Sequence, residues 1–252
     1  MSGLIKSKIM KLIKNPIELI FVFLFPVEIL FLIGQIFGGN IESFTSAFLY
    51  KSRGILDGMY PGIVFVVFII YLCIILPVDI LEEKKQIPEK IYSPTAFFSY
   101  SLIYAFILFV GLSFMNFFGY YFYKIRIPEF SSMIFISYAV LFIFFFSFGF
   151  MISLIFSRKN SLLIVTISYF LPEIFLNNSI VPLHIMSTEA QNYSKYLLTS
   201  KLVRIFKSYY CGKNTVFTRE DLFSILIPVL IFLSISIVMV FLKKKRVSLD
   251  LK

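Results

Sequence analysis

The run MYPGIVFVVFIIYLCIILPVDIL, residues 59–81, decides the fold class of this chain. Its one charged residue, Asp79, lies near the end of the run, where we expect the membrane interface. A helix rises about 1.5 Å per residue, so the run reaches about 34 Å, more than the roughly 30 Å hydrocarbon core of a bilayer. Because every backbone group in lipid must be paired within its own segment, the run predicts a transmembrane helix.

Other apolar runs repeat this pattern, and the whole chain of 252 residues is 59% hydrophobic and 15% charged. Soluble domains carry about 45–50% apolar and about 25% charged residues. The excess of apolar residues predicts an all-α, polytopic membrane protein, since the alternating pattern of membrane strands is absent from the sequence. We predict six transmembrane helices, over residues 17–38, 59–81, 96–123, 132–156, 161–178 and 222–242.

Three polar segments outside these runs have distinct characters. Residues 3–15, GLIKSKIMKLIKN, alternate lysines with apolar residues at helical spacing, which predicts an amphipathic helix lying in the membrane interface. Residues 82–94 mix both charge signs and predict a polar loop, and Ser93-Pro94 is good capping chemistry for the next helix. Residues 179–221 are too broken to span, so we expect one or two short helices there, forming a re-entrant segment in the outer leaflet.

The basic residues lie mainly at the ends of the apolar runs, although the net charge of +10 could in a soluble protein indicate nucleic-acid binding. Their placement instead indicates membrane anchoring in the lipid bilayer, and no nucleic-acid motif accompanies them. The two densest basic clusters fall near the two ends of the chain, which predicts that both termini are cytoplasmic. With a composition typical of AT-rich genomes, we expect a multi-pass protein of a prokaryotic cell membrane.

Few residues in the predicted spans could carry chemistry. The sequence contains no phosphate-binding loop, HExxH, paired CxxC or GxSxG motif, so it predicts no enzymatic activity, cofactor or metal site. Glu28 falls near the midplane of the first span, and Glu173 follows Pro172 in the fifth. A carboxylate in lipid is costly unless it is protonated, paired or hydrated. Each carboxylate is therefore either a structural group satisfied by its neighbours or part of a substrate pathway.

Several stretches fit one family pattern in order and spacing. KIMKLIKNPIELIFVFLFPVEILFLIG (8–34) joins a basic helix and an Asn-Pro break to a span with an internal proline and a terminal glycine. YPGIVFVVFIIY (60–71) opens the second span on Pro-Gly and leads into EEKKQIPEKIYSPTAFFSYSL (82–102), and Pro182-Leu183 follows the fifth span. Together they resemble the ABC-2 type permease family, although Ile87-Pro88 replaces that family's Gly-Thr and no glycine precedes Pro182.

The resemblance implies a six-span membrane subunit of an ABC exporter, which pairs with a second membrane half and with cytoplasmic ATPase subunits. The second half would be another copy or a related permease. By position, the resemblance implies an ATPase-docking loop and a connecting helix. The docking residues are Glu82, Glu83, Lys84, Lys85, Glu89, Lys90, Ser93 and Pro94, and the connecting helix contains Lys6, Lys8, Lys11, Lys14, Asn15 and Pro16.

The apolar spans favour a hydrophobic or amphipathic substrate, such as a drug or a peptide, including peptides of bacteriocin type. One alternative is an ion-coupled secondary transporter or channel in which Glu28 and Glu173 bind the ion. A membrane enzyme is a further alternative, and it would need convergent catalytic residues facing water.

Overall fold

The fold is seen in a computed structural model that describes residues 16–37, 55–86, 91–125, 132–181, 183, 186–210 and 219–250. Within these ranges the chain is helical and contains no strand. The predicted connecting helix at 3–15 lies outside the described residues, except that Pro16 begins the first helix. Also outside them are the predicted docking residues Glu89 and Lys90.

The helices follow the apolar runs of the sequence. They are α1 (Pro16–Phe37), α2 (Ile55–Ile69), a π-helical turn (Ile70–Ile75), α3 (Leu76–Gln86), α4 (Pro94–Tyr123), α5 (Ser132–Ile155), α6 (Lys159–Leu176), α7 (Thr188–Tyr196), α8 (Leu198–Tyr210) and α9 (Arg219–Asp250). Among the described residues, five stretches are long and apolar enough to cross a membrane. They are Gly58–Gln86, Pro94–Tyr123, Ile134–Ile155, Lys159–Leu176 and Phe223–Lys243. The prediction of an all-helical membrane protein is confirmed, and α1 adds a shorter apolar stretch, Phe23–Gln35.

The stretch Gly58–Gln86 forms the centre of the bundle as one rod made of α2, the π-helical turn and α3. Its residues 59–78 are apolar on all sides, and helices of that kind are buried among other helices. The π-helical turn lies against α5, where the missing side chain of Gly149 makes room for the backbone. A Cβ atom built on Gly149 would lie 1.8 Å from the carbonyl oxygen of Leu72.

The remaining long helices surround this rod and turn apolar side chains outward. α1 packs on α4 through ring contacts such as Phe31 with Phe122, whose centroids are 5.3 Å apart. α9 packs on α5, where the Ser236 hydroxyl donates to the carbonyl of Ser147 at 2.7 Å. Large exposed apolar residues cover the outer faces of α4, α6 and α9, as a lipid-facing surface requires. The protein is therefore embedded in a membrane.

Two helices continue past the ends predicted for them. α3 extends through Gln86, so the first residues of the predicted 82–94 loop are helical. No Gly or Pro interrupts the chain between Pro77 and Pro88, and side chains of this last turn bond to neighbouring helices. α9 extends to Asp250, beyond the predicted end at residue 242. Within the predicted 179–221 segment, the described residues include the two short helices α7 and α8, and α9 begins at Arg219.

Candidate functional site

Two lysines close the end of the bundle at which α3 and α5 terminate, here called the lysine end. The Lys84 ammonium group donates to the carbonyls of Ser153, Leu154 and Phe156, at 3.2, 3.3 and 2.9 Å. The Lys243 ammonium group, on α9, donates to the same Leu154 carbonyl at 2.9 Å. The last carbonyls of a helix have no partner within the helix, and cations are favourable there. This lysine clamp therefore joins α3, α5 and α9.

A ladder of two acid–tyrosine pairs joins α3 to α4 beside the clamp. The Tyr104 hydroxyl donates to Asp79, and one turn away the Tyr100 hydroxyl donates to Glu83. Asp79 is only 8% exposed, and both tyrosines are buried. Asp79, which we expect near the membrane interface, is thus buried within the protein, where Tyr104 covers and bonds it. The sequence contains a signal for this ladder. The two acids are four residues apart on α3 and the two tyrosines are four residues apart on α4, so each set lies on one face of its helix.

The described docking residues divide into bonded groups and exposed groups. Glu83 and Lys84 face neighbouring helices, whereas Lys85 is exposed. Glu82 is about half exposed and forms a surface ion pair with Lys159 of α6, with a nitrogen–oxygen distance of 3.6 Å. The side of α3 open to a partner at this end is thus the side that carries Glu82 and Lys85.

Ser93 and Pro94 begin the helix that follows the charged segment. The Ser93 hydroxyl oxygen accepts the backbone N–H of Ala96 at 3.1 Å, and Pro94 occupies the first helical position. This arrangement satisfies an otherwise unpaired N–H at the helix start. The predicted capping role of this pair is confirmed.

Glu173 anchors the segment after α6 at the opposite end of the bundle. Its carboxylate is 6% exposed and accepts hydrogen bonds from the hydroxyls of Thr199 and Tyr169. Thr199 lies in the first turn of α8, and Tyr169 lies one turn earlier on α6. Glu173 thus ties α8 to the end of α6, which supports the structural interpretation of this carboxylate.

A tight turn at residues 177–179 connects α6 to this segment and lies against the central rod. The Asn177 side-chain oxygen accepts the backbone N–H of Ser179 at 2.9 Å, and Asn178 adopts a left-handed conformation with φ 66°. The Lys207 ammonium group, from α8, donates to the carbonyl of Asn178. The Ser179 carbonyl oxygen meets Gly62, on which a Cβ atom would lie 1.7 Å from it. The glycine of the Pro-Gly pair is therefore needed for this contact.

The other carboxylate singled out from the sequence lies apart from this cluster. Glu28 is exposed on α1, whereas Glu173 is buried beneath α8. In the described part of the chain, no group of three or more His, Cys, Asp or Glu residues is arranged to hold a metal ion.

The contacts at Asp79, Gly62 and Lys207 lie outside the predicted set of functional residues. A scan against protein-family models finds no match for this chain, and a search of curated proteins finds none either. The sequence and the two clusters, one at each end of the bundle, are therefore the features from which a function is inferred.

Proposed function

We propose that this chain is the membrane-spanning permease subunit of an ATP-driven ABC exporter. It moves a hydrophobic or amphipathic substrate, such as a drug or a peptide of bacteriocin type, out of a prokaryotic cell. In this proposal α1 completes six spans, both termini and the lysine end are cytoplasmic, and α7 and α8 form the outer re-entrant segment. ATP hydrolysis belongs to a separate ATPase, since the sequence contains no phosphate-binding loop.

The observation that carries this proposal is the joint at the lysine end. The lysine clamp holds α3, α5 and α9 together, and the acid–tyrosine ladder adds α4. The charged last turn of α3 projects from this joint directly before the connection to α4. A partner that pushes on this connection would move four helices as one body, which rigid-body coupling between an ATPase and its transport subunit requires.

The Glu173 cluster favours the exporter over the ion-coupled alternative. An ion-coupled transporter needs carboxylates that reach a shared, hydrated site and release their ion. Glu173 is instead occupied by two hydroxyl donors that hold α8 in place, and Glu28 lies on another helix. In the exporter proposal Glu173 needs no direct contact with substrate.

Purification of the tagged chain from its own host tests the proposal. We expect an ATPase with a phosphate-binding loop to co-purify, and the double variant Glu82→Lys, Lys85→Glu to reduce its amount at least tenfold. The variant inverts the charge pattern of the exposed side of α3 without changing net charge. Lys124→Glu, at the exposed far end of α4, is the control and should leave the amount unchanged.

Transport in sealed vesicles separates the two hypotheses. The exporter requires ATP and the ATPase for substrate movement. Transport that persists without ATP and follows a proton or sodium gradient, together with no co-purifying ATPase, would favour the ion-coupled alternative instead.

A further inference from the structure

One face of α1 does not pack on the other described helices. It carries Leu24, Glu28, Leu32 and Gln35, which recur every three or four residues and so lie on one side of the helix. Leu24 is 41% exposed and Leu32 is 65% exposed, and Glu28 and Gln35 are also exposed. The opposite side of the helix, with Leu30 at its centre, is fully buried. We call these four residues the α1 face.

The depth of Glu28 makes this face unlike the other outward faces. The 22 residues of α1 reach about 33 Å, and Glu28 lies about 18 Å from the first of them, close to the middle of a bilayer. The outward faces of α4 and α6 present residues such as Phe109 and Ile164. Lipid suits those faces, but it offers no hydrogen bond to a carboxyl group, whose exposure to lipid is costly.

We infer that the α1 face packs against the same face of a second copy of this chain, so that Glu28 of each copy meets Glu28 of the other. Two copies with the same orientation in a membrane are related by a twofold axis along the membrane normal, so equal residues meet at equal depth. The two Glu28 side chains then lie close enough to share a hydrogen bond across the twofold axis.

The composition of the α1 face favours a second copy over a different partner. The pair of Glu28 carboxyl groups and the Gln35 amide can each donate and accept hydrogen bonds, so the face is self-complementary. Leu24 and Leu32, one turn on either side of Glu28, would exclude lipid from the pair. Polar side chains that bond across helices in this way strengthen helix association in membranes. The inference rests on the proposed function's second membrane half and names that half as another copy.

Cysteine cross-linking in membranes tests the contact. In a background that carries Cys73→Ser and Cys211→Ser, Leu24→Cys and Leu32→Cys should give disulfide-linked dimers on mild oxidation. Phe109→Cys, 70% exposed on α4, is the matched control and should give at least tenfold less dimer. Equal yields at Leu32 and Phe109 would overturn the inference, because random collision would then explain both.

Co-purification of two differently tagged copies gives a second measurement in the native cysteine background. Glu28→Gln keeps the hydrogen bond and should preserve the pairing of the two tags. Glu28→Lys places two cations together and should reduce the pairing at least tenfold. Pairing that is insensitive to Glu28→Lys overturns the inference. Rapid modification of Glu28→Cys by a membrane-impermeant thiol reagent, in the background that carries Cys73→Ser and Cys211→Ser, also overturns it.

The two proposals fail in distinguishable ways. If the ATPase co-purifies while the copies do not pair, the exporter stands and the inference falls. If the copies pair through the α1 face and no ATPase co-purifies, the inference stands and the exporter proposal falls.

Discussion

The closest backbone contact at the far end of the rod gives the most direct test of the fold, through the variant Gly62→Ala. The added Cβ atom would lie 1.7 Å from the Ser179 carbonyl oxygen, whereas a carbon and an oxygen in contact are about 3.3–3.6 Å apart. The two groups must therefore separate by about 1.5 Å or more. Since both are fixed by backbone, no side-chain rotation relieves the clash.

The expected loss of stability follows from two opposing effects. Overpacking in a tight core costs about 1–3 kcal/mol, and a backbone clash belongs at the upper end of that range. Alanine in place of glycine within a helix stabilises the folded protein by about 1 kcal/mol, because alanine has the higher helix propensity. We expect Gly62→Ala to lower the free energy of unfolding by about 2 kcal/mol. We also expect the 177–179 turn to detach before the rest of the protein unfolds.

Gly119→Ala on α4 is the matched control for this variant. Its new Cβ atom would meet the ends of the Ile125 and Leu30 side chains, both at 3.3 Å, and these ends can move. We expect a change in stability between zero and a gain of about 1 kcal/mol. Equilibrium unfolding in mixed micelles of mild detergent and dodecyl sulfate, followed by circular dichroism, measures both variants.

Trypsin cleavage at the exposed Lys195 of α7 gives a local readout of the same clash. A local opening made easier by about 2 kcal/mol raises the open fraction roughly thirtyfold, and cleavage should accelerate accordingly. Equal stability and equal cleavage rates for Gly62→Ala and Gly119→Ala would refute the close approach of Ser179 to the rod.

Substitutions at three further polar contacts test how the two clusters are held together. Lys84→Met removes three hydrogen bonds to the end of α5 and should destabilise the protein by about 2 kcal/mol, whereas Lys84→Arg should retain most of the stability; equal unfolding curves for the two variants would contradict a charge-assisted clamp. Thr199→Val keeps the side-chain shape but removes a donor to the buried Glu173 carboxylate, at a cost of about 1–3 kcal/mol, and faster tryptic cleavage of α7 should report the loosened segment. Tyr104→Phe removes one donor from Asp79 and should cost about 1–3 kcal/mol, while Asp79→Asn, which can still accept that bond, should cost less; the reverse order in unfolding experiments would argue against the ladder.

The positions of the long helices could be predicted because local properties determine them. An apolar run longer than a bilayer core leaves its backbone groups no partner except each other, so the stretch 59–81 had to be helical. The start of α4 could also be predicted from the sequence, since Ser93 and Pro94 are typical cap and first-turn residues of a helix. The end of α3 could not be predicted, because a stretch of mixed charges is typical of a loop. Only the packed structure shows that Glu83 and Lys84 bond to neighbouring helices and so extend α3.

The contacts that close the two ends could not be predicted, since they join residues far apart in the chain. Gly62 is one of several glycines in the sequence, and only the packed structure shows the Ser179 carbonyl against it. Lys207 reads as one basic residue in a semi-polar segment, yet its ammonium group binds the carbonyl of Asn178. The choice of partner in each case depends on how the helices pack, which a local pattern does not specify.

Glu28 and Glu173 show how the same sequence signal can have two physical outcomes. Each is a carboxylate inside an apolar run, and each must be shielded from lipid. The chain itself shields Glu173, with hydroxyls from α6 and α8, so its replacement should alter the stability of a single chain. Among the described residues none covers Glu28, and we propose that a second copy of the chain shields it. Glu28→Gln should therefore leave the unfolding of a dispersed single chain unchanged, whereas Glu173→Gln should not. If both variants lowered that stability equally, Glu28 would be satisfied within its own chain, and the α1 face would need no partner.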